Sequence, residues 1–348
     1  MRRLSCLSAI ALLLGMLLAP APAQAQQDLD DLSDLGNALR TISKSYADNY
    51  VQPITNTFGA GVNSALFRGA DVGNSLVPGF PLNVYVGVSV PGTFTSSMNK
   101  RFRPFGGGQE TFTSNERTFT VEYTGSGEVP TVLGETDPPG GELLVRDGET
   151  GIPLASAPAP QGLVDTPIAP LVIPQVAVGS IAGTDAQLRY LPKSRLSLAG
   201  SSYGTVGVFG LAVRHDLDQW VPAPLPFNVA VQGAWNQFSL ENDLGGEAQE
   251  VLDASGWAFN LQASKGLPVA PITFYGGLQY ETFNVDYNYV YTPSGSLPPV
   301  DFSLSQTAAN SLRGLVGVTF TAAVVRINVD YAVGDAHNVV TAGFGVRL

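Results

Sequence analysis

Few side chains in this sequence could carry covalent chemistry. There are two histidines, His215 and His337. A nucleophile–histidine–acid arrangement would need one of them beside a serine and a carboxylate. His215 sits in Val213-Arg214-His215-Asp216, at the end of an expected strand. His337 follows Gly334-Asp335 in an expected tight turn. They are too far apart to suggest a metal site, and a solvated rim histidine is the commoner reading of such a cluster. Ser201-Ser202-Tyr203-Gly204 is the nearest serine motif, but it lacks the strand–turn–helix frame of a nucleophile elbow. Gly59-Ala60-Gly61 and Gly343-Phe344-Gly345 are expected on strands, not before a helix, so they are not phosphate loops. We read them as thin wall positions where backbone packs closely. Asp28, Asp30, Asp31 and Asp34 lack the spacing of a calcium loop. We therefore expect no enzyme, no catalytic residue, no metal and no cofactor.

What remains is a set of isolated charges on otherwise uncharged strand faces. By alternation, Arg313, Arg326, Asp330, Arg347, Glu281 and Glu122 share the wet face of their strands. Inside a barrel such groups pair across strands or select solutes. Pairing is the preferred expectation.

The elements that would hold these charges are strands with one apolar and one wet face. Val325, Ile327, Val329, Tyr331 and Val333 alternate with Arg326, Asn328 and Asp330. Phe227, Val229, Val231 and Trp235 alternate with Asn228, Ala230, Gln232 and Asn236. The wet faces carry Gly, Asn, Gln and Ser where a soluble sandwich would carry Lys and Glu. That pattern fits a barrel with a lipid-facing wall and a wet lumen. Twelve strands are expected (range 10–14): 57–68, 82–94, 110–124, 171–181, 184–191, 204–216, 226–239, 252–265, 271–291, 300–321, 323–333 and 337–348. The fold class is all-β, an antiparallel transmembrane β-barrel with an N-terminal amphipathic helix. Aromatics near strand ends suggest interfacial girdles: Tyr203, Trp220, Phe227, Trp235, Phe238, Trp257, Phe274, Tyr287, Tyr289 and Tyr291.

Three segments stand apart. Residues 1–25 read as a cleaved signal peptide, with Arg2-Arg3, an apolar run and Ala23-Gln24-Ala25. The lone Cys6 lies inside it, so no disulfide is expected afterwards. Residues 26–56 read as a helical plug or lid at the periplasmic mouth, or as a helix packed on the outside of a globular domain. Leu29, Leu32, Leu35, Leu39, Ile42 and Tyr46 form its apolar stripe, and Pro53 is expected to end it. Residues 57–348 read as the barrel, with a Pro/Gly-rich loop at 125–170 on a solvent-facing end. Lys100-Arg101-Phe102-Arg103 is the densest basic patch, either a solvated turn or a contact for lipid phosphate. A net charge of −11 argues against nucleic acid as a partner.

A family resemblance rests on short motifs in a set order. They are Tyr50-x-x-Pro53, Gly59-Ala60-Gly61-x-Asn63-Ser64, Pro174-Gln175-x-x-x-Gly179, Gly183-Thr184-Asp185 and Arg189-Tyr190-Leu191-Pro192. Then come Gly210-Leu211-x-Val213-Arg214-His215-Asp216, Gln262-Ala263-Ser264-Lys265 and Tyr275-Gly276-Gly277. Together they resemble an uncharacterised outer-membrane barrel family of Bacteroidota-type bacteria, itself distantly similar to long-chain fatty-acid transporter barrels. The resemblance implies location and architecture, not a substrate. One departure is Leu348 at the end, where such barrels usually place an aromatic residue.

The expectation is an outer-membrane β-barrel. It would be either a plugged channel or transporter for small hydrophobic or amphipathic solutes, or a structural or surface-interaction barrel without transport. Expected partners are outer-membrane lipids and lipopolysaccharide, the barrel-assembly machinery and, for a transporter, a small hydrophobic solute.

Overall fold

The computed structural model describes residues 29–72, 82–96, 98, 100–114, 117–162, 165–198, 201–222, 225–242, 249–291 and 300–348. Helix α1 (Leu29–Val62) leads into β1 (Asn83–Phe94). An insertion follows with β2 (Arg101–Phe102), β3 (Gln109–Ser114), β4 (Arg117–Tyr123), β5 (Val129–Pro130), β6 (Glu142–Asp147), β7 (Pro153–Pro158) and β8 (Ile168–Pro170). The rest is β9 (Ile173–Ile181), β10 (Thr184–Leu198), β11 (Ser201–Asp216), β12 (Asn228–Asn242), β13 (Gln249–Gly266) and β14 (Ile272–Tyr291). It ends with β15 (Val300–Thr307), β16 (Leu312–Ala322), β17 (Val325–Gly334) and β18 (Val339–Arg347).

Ten strands close into an antiparallel barrel: β1, β9 to β14 and β16 to β18, with β1 sealing the ring against both β9 and β18. Two further strands prolong members of this ring. β8 continues β9 along β1 in unbroken register. β15 continues β16 along β14, with the register slipping by one residue between them. Closure leaves the ten-strand ring itself without an edge, which is what a sheet in lipid requires.

Alternation sets the two faces. Val329, Tyr331, Leu261, Leu278 and Phe344 point outward and are exposed. Asn328, Asp330, Gln262, Gln279 and Thr341 point inward and are buried. Trp220, Phe227, Trp257 and Phe274 lie on the outside as expected of girdle residues. Phe238 and Tyr287 do not: both are buried in the lumen. The side chains of Tyr203, Tyr289 and Tyr291 lie outside the described residues.

The strand count is two lower than expected, for two different reasons. Segment 57–68 is the last turns of α1 and the chain beyond it, buried inside the barrel except for the half-buried Phe58. A segment surrounded by wall has no wet side, so its residues carry no dependable period. Segment 110–124 does form strands, but β3 and β4 have 6 and 7 residues. A spanning strand needs about 9–11. They join β6 and β7 in a separate four-stranded sheet that buries Phe119, Val121, Leu143 and Val145. The supposed loop 125–170 is thus largely folded. At its β6–β7 turn, the Thr150 backbone N–H and hydroxyl hold the Asp147 carboxyl below its ordinary pKa.

The helix also differs. It runs 34 residues and continues through Pro53. A proline inside a helix costs roughly 3 kcal/mol through a lost hydrogen bond and a ring clash. Burial compensates here: Tyr46, Tyr50, Val51, Thr55 and Val62 are all in the interior.

Candidate functional site: the threaded lumen

Both ends of the barrel can be recognised from its connections. One end has the turns at 182–183, 267–271 and 323–324. The other has the insertion between β1 and β9. The chain enters the lumen at the insertion end and leaves at the turn end. Tyr46 packs edge-on against Phe102 of the insertion, at 4.9 Å between rings. The Tyr50 hydroxyl donates to the Gln161 carbonyl at 2.7 Å, and the Val132 N–H donates to the Tyr50 carbonyl at 3.0 Å. Further down, the Thr55 hydroxyl lies 2.6 Å from Gln306 Oε1 and 2.7 Å from the Tyr287 hydroxyl. Phe58 stacks on Phe238 at 4.3 Å. Gly59 then passes the break between β15 and β16. A Cβ there would lie 2.5 Å from Ala308 Cβ. Close packing was the role expected for Gly59, but on a strand; it is filled on the last turns of a helix.

The helix stops in mid-lumen, where its final carbonyls would be orphaned and the dipole leaves partial negative charge. Its last turn has no basic residue of its own. The wall supplies two. Arg189 Nη1 donates to the Val62 carbonyl and to Asn236 Oδ1, both at 2.7 Å, while Nη2 donates to the Ser64 carbonyl at 2.7 Å. From the opposite side Arg313 donates to the Ala60 carbonyl at 3.1 and 3.2 Å and to the Ser64 hydroxyl. Glu281 pairs with Arg313 and accepts from Gln279. Gln279 also donates to the Asn63 carbonyl at 3.0 Å. Asn63 in turn meets Asn236 at 3.0 Å and the Thr282 carbonyl at 3.1 Å. Arg189 and Arg313 are 0% and 1% exposed, so both side chains are sealed from bulk solvent at mid-barrel.

At the turn end the contacts become ionic. Arg68 lies 4.0 Å from Asp185, which Arg214 also holds at 3.1 Å. Arg326 donates to the Arg68 carbonyl at 3.0 Å. Arg347 donates to Asn83 Oδ1 at 3.0 Å and lies 3.4 Å from Asp71. Asp330 takes the Tyr275 hydroxyl at 2.9 Å.

Five of the six inward charges named from the sequence, Arg313, Arg326, Asp330, Arg347 and Glu281, therefore lie on the inner wall. Arg313, Arg326 and Arg347 reach the threaded chain, Asp330 holds Tyr275 of the wall, and Glu281 pairs with Arg313 across strands. Glu122 is a correction. It belongs to β4 of the small sheet and pairs with Arg146 at 2.9 Å. Its alternation was real, but it marked a different sheet. The stripe Leu32, Leu35, Leu39 and Ile42 has side chains outside the described residues. The plug contacts that are described come from 46–72. The site residues missing from that set are Arg189, Asp185 and Arg214 on the wall, and Asn63, Ser64 and Arg68 on the plug. The signal for the wall residues was the same alternation, because Leu188, Tyr190 and Val213 beside them point outward.

The other candidates have structural duties. His215 lies 2.9 Å from the Thr184 hydroxyl through Nδ1 and accepts from Trp220 at 2.9 Å through Nε2. The His337 backbone is held by Asn310. The basic patch 100–103 is neutralised within the insertion: Lys100 by Asp165, Arg101 by Glu135 at 2.8 Å and Arg103 by Glu128 at 3.7 Å. Among the described residues, no three His, Cys, Asp or Glu side chains converge as a metal site.

The architecture defined by this geometry is a closed β-barrel with its lumen filled by its own chain. The chain belongs to the family of unknown function DUF6588, whose model matches residues 1–348. No curated protein matches it. Among solved structures it is similar to the translocator domain of autotransporter NalP from Neisseria meningitidis, at 12% identity over 77% of this chain and 88% of that one, with a TM-score of 0.29. It is also similar to Ail, the attachment invasion locus protein of Yersinia pestis, at 18% identity over 48% and 94%, TM-score 0.22. A third likeness is to the beta domain of the Bordetella autotransporter BrkA, at 9% identity over 76% and 98%, TM-score 0.29.

Proposed function

We propose that this protein is an outer-membrane β-barrel kept closed by its threaded N-terminal segment, and that it serves as a structural or surface-interaction barrel, not an open pore. The observation that carries this reading is the clamp of Arg189 and Arg313 on the carbonyls of Ala60, Val62 and Ser64. It ties the threaded segment to opposite sides of the wall with almost fully buried groups. The membrane assignment is supported by the exposed apolar outer face. Bacterial barrels carry short periplasmic turns and longer outer loops, so the insertion end is assigned to the cell surface. α1 and the small sheet would then be the parts offered to partners outside the cell. Outer-membrane lipids, lipopolysaccharide and the assembly machinery are the partners this placement entails.

Planar-bilayer conductance tests the reading. The purified full-length protein should give no steady current, and the Arg189→Ala/Arg313→Ala variant should open transient channels. A steady, solute-dependent current through the unmodified protein would overturn it and favour a transporter for small amphipathic solutes.

A further inference from the structure

We infer that the turn-end mouth of the lumen is a binding site for a doubly charged oxyanion of the phosphate class, formed by Arg68, Arg214, Arg326 and Arg347. Four guanidinium groups gather there. Arg326 lies in the field of Arg347, Arg68 and Arg214, and Arg68 in that of Arg214 and Arg347. Among the described residues Arg326 has no carboxylate within ion-pair distance, and Arg68 and Arg214 share a single one. Asp185 is shared between Arg68 and Arg214, and Asp71 reaches Arg347 at 3.4 Å. The chain between the lumen and β1 does not correct the imbalance, since residues 73–81 contain no charged side chain. The cluster is therefore rich in cations, inside a protein whose net charge is −11.

Hydrogen bonding shows the same deficit. Arg68 is 4% exposed and Tyr85 5%, yet among the described residues Arg68 Nη1 and the Tyr85 hydroxyl have no hydrogen-bond partner. The Arg68 guanidinium lies over the Tyr85 ring, 4.5 Å from its centre. Buried polar groups are nearly always satisfied, so such orphans call for a missing partner. An anion with several acceptor oxygens would take the free guanidinium and phenol donors and cancel the excess charge. Guanidinium forks match phosphate oxygens in geometry as well as charge. Access is from the turn end, where Arg326 is only half-buried and the Asp71 side chain is 44% exposed.

The test is calorimetric titration of the full-length protein in neutral detergent with inorganic phosphate, against sodium chloride of equal ionic strength. We expect saturable binding of one phosphate per chain. Arg326→Gln should weaken it at least tenfold while keeping the heat-dependent gel shift of a folded barrel. Arg101→Gln, in the insertion, should bind as the unmodified protein does. A second arm substitutes short-chain phosphatidic acid, which carries the same group on a lipid. Phosphate binding assigns the site to a soluble ion, and binding of phosphatidic acid alone assigns it to a headgroup. If the unmodified protein binds neither above the chloride control, the inference fails. Unchanged binding by folded Arg326→Gln would overturn it equally.

Discussion

At the scale of single residues, the lumen shows how costly charges are made tolerable. Arg313 and Glu281 are both almost fully buried. Each would be strongly unfavourable alone, and removing one partner of such a pair typically costs about 3–5 kcal/mol. Glu281→Gln should therefore destabilise the barrel by roughly that amount, read as a lower temperature for loss of the folded gel band. Arg313→Gln together with Glu281→Gln should cost less than the two single changes added, because neither leaves an unpaired charge. An additive result would show that the two groups do not depend on each other. The facing of these residues was legible in the sequence because a strand has a period of two. What they touch was not legible. Alternation tells which way a side chain points, not that a helix end waits on the other side. The resemblance motifs held that information in undecoded form: Asn63, Ser64, Asp185, Arg189 and Arg214 all fall within them, the first two and Arg189 meeting at mid-barrel and Asp185 with Arg214 at the turn end.

The elements teach a complementary lesson. Ten of the twelve expected strands form the barrel, because each separates a lipid face from a wet face. The helix was misjudged at its end, since Pro53 is a strong local stop signal that tertiary burial overrode. Gly59 is the sharpest case of such an override. Glycine within a helix costs about 1 kcal/mol relative to alanine, so Gly59→Ala would stabilise an isolated helix. In the barrel the added Cβ would meet Ala308 Cβ at 2.5 Å and Phe283 at 3.1 Å. Overpacking of that kind typically costs about 1–3 kcal/mol. Packing should win, and Gly59→Ala should lower stability in denaturant. Ala308→Gly removes the obstructing atom and should restore at least part of the loss. If Gly59→Ala is stabilising on its own, the helix does not pass the wall where the contacts put it.

For the whole molecule, the outer face makes the membrane assignment testable without any knowledge of function. Val329 is 45% exposed on β17, whereas Ala332 on the inner face of the same strand is 3% exposed. Val329→Arg would place a charge on the lipid side, at a cost of roughly 2–4 kcal/mol near mid-membrane. It should reduce the amount of assembled barrel recovered from outer membranes. Val329→Thr, which keeps the shape without the charge, should assemble normally. Full assembly of Val329→Arg would mean that this face is not in lipid.

Threading also fixes where the N-terminal segment emerges, and here the geometry departs most from expectation. The sequence suggested a plug or lid at the periplasmic mouth, the end expected to carry the short turns. The contacts run the other way: Tyr46 and Tyr50 meet the insertion, Asn63 meets the middle of the wall, and Arg68 meets the turn end. The chain preceding Tyr46 therefore belongs to the insertion end. A helix rises about 1.5 Å per residue, so the stretch from Leu29 to Tyr46 adds length beyond the point where the insertion grips it. With that end outside the cell, an epitope placed just before Leu29 should be reached by antibody on intact cells. So should one beside Pro139 in the insertion, while one beside Val269 in a short turn should be shielded until the membrane is opened. Labelling at Pro139 but not before Leu29 would mean that the helix does not thread the barrel. Labelling at Val269 alone would mean that the barrel sits the other way up.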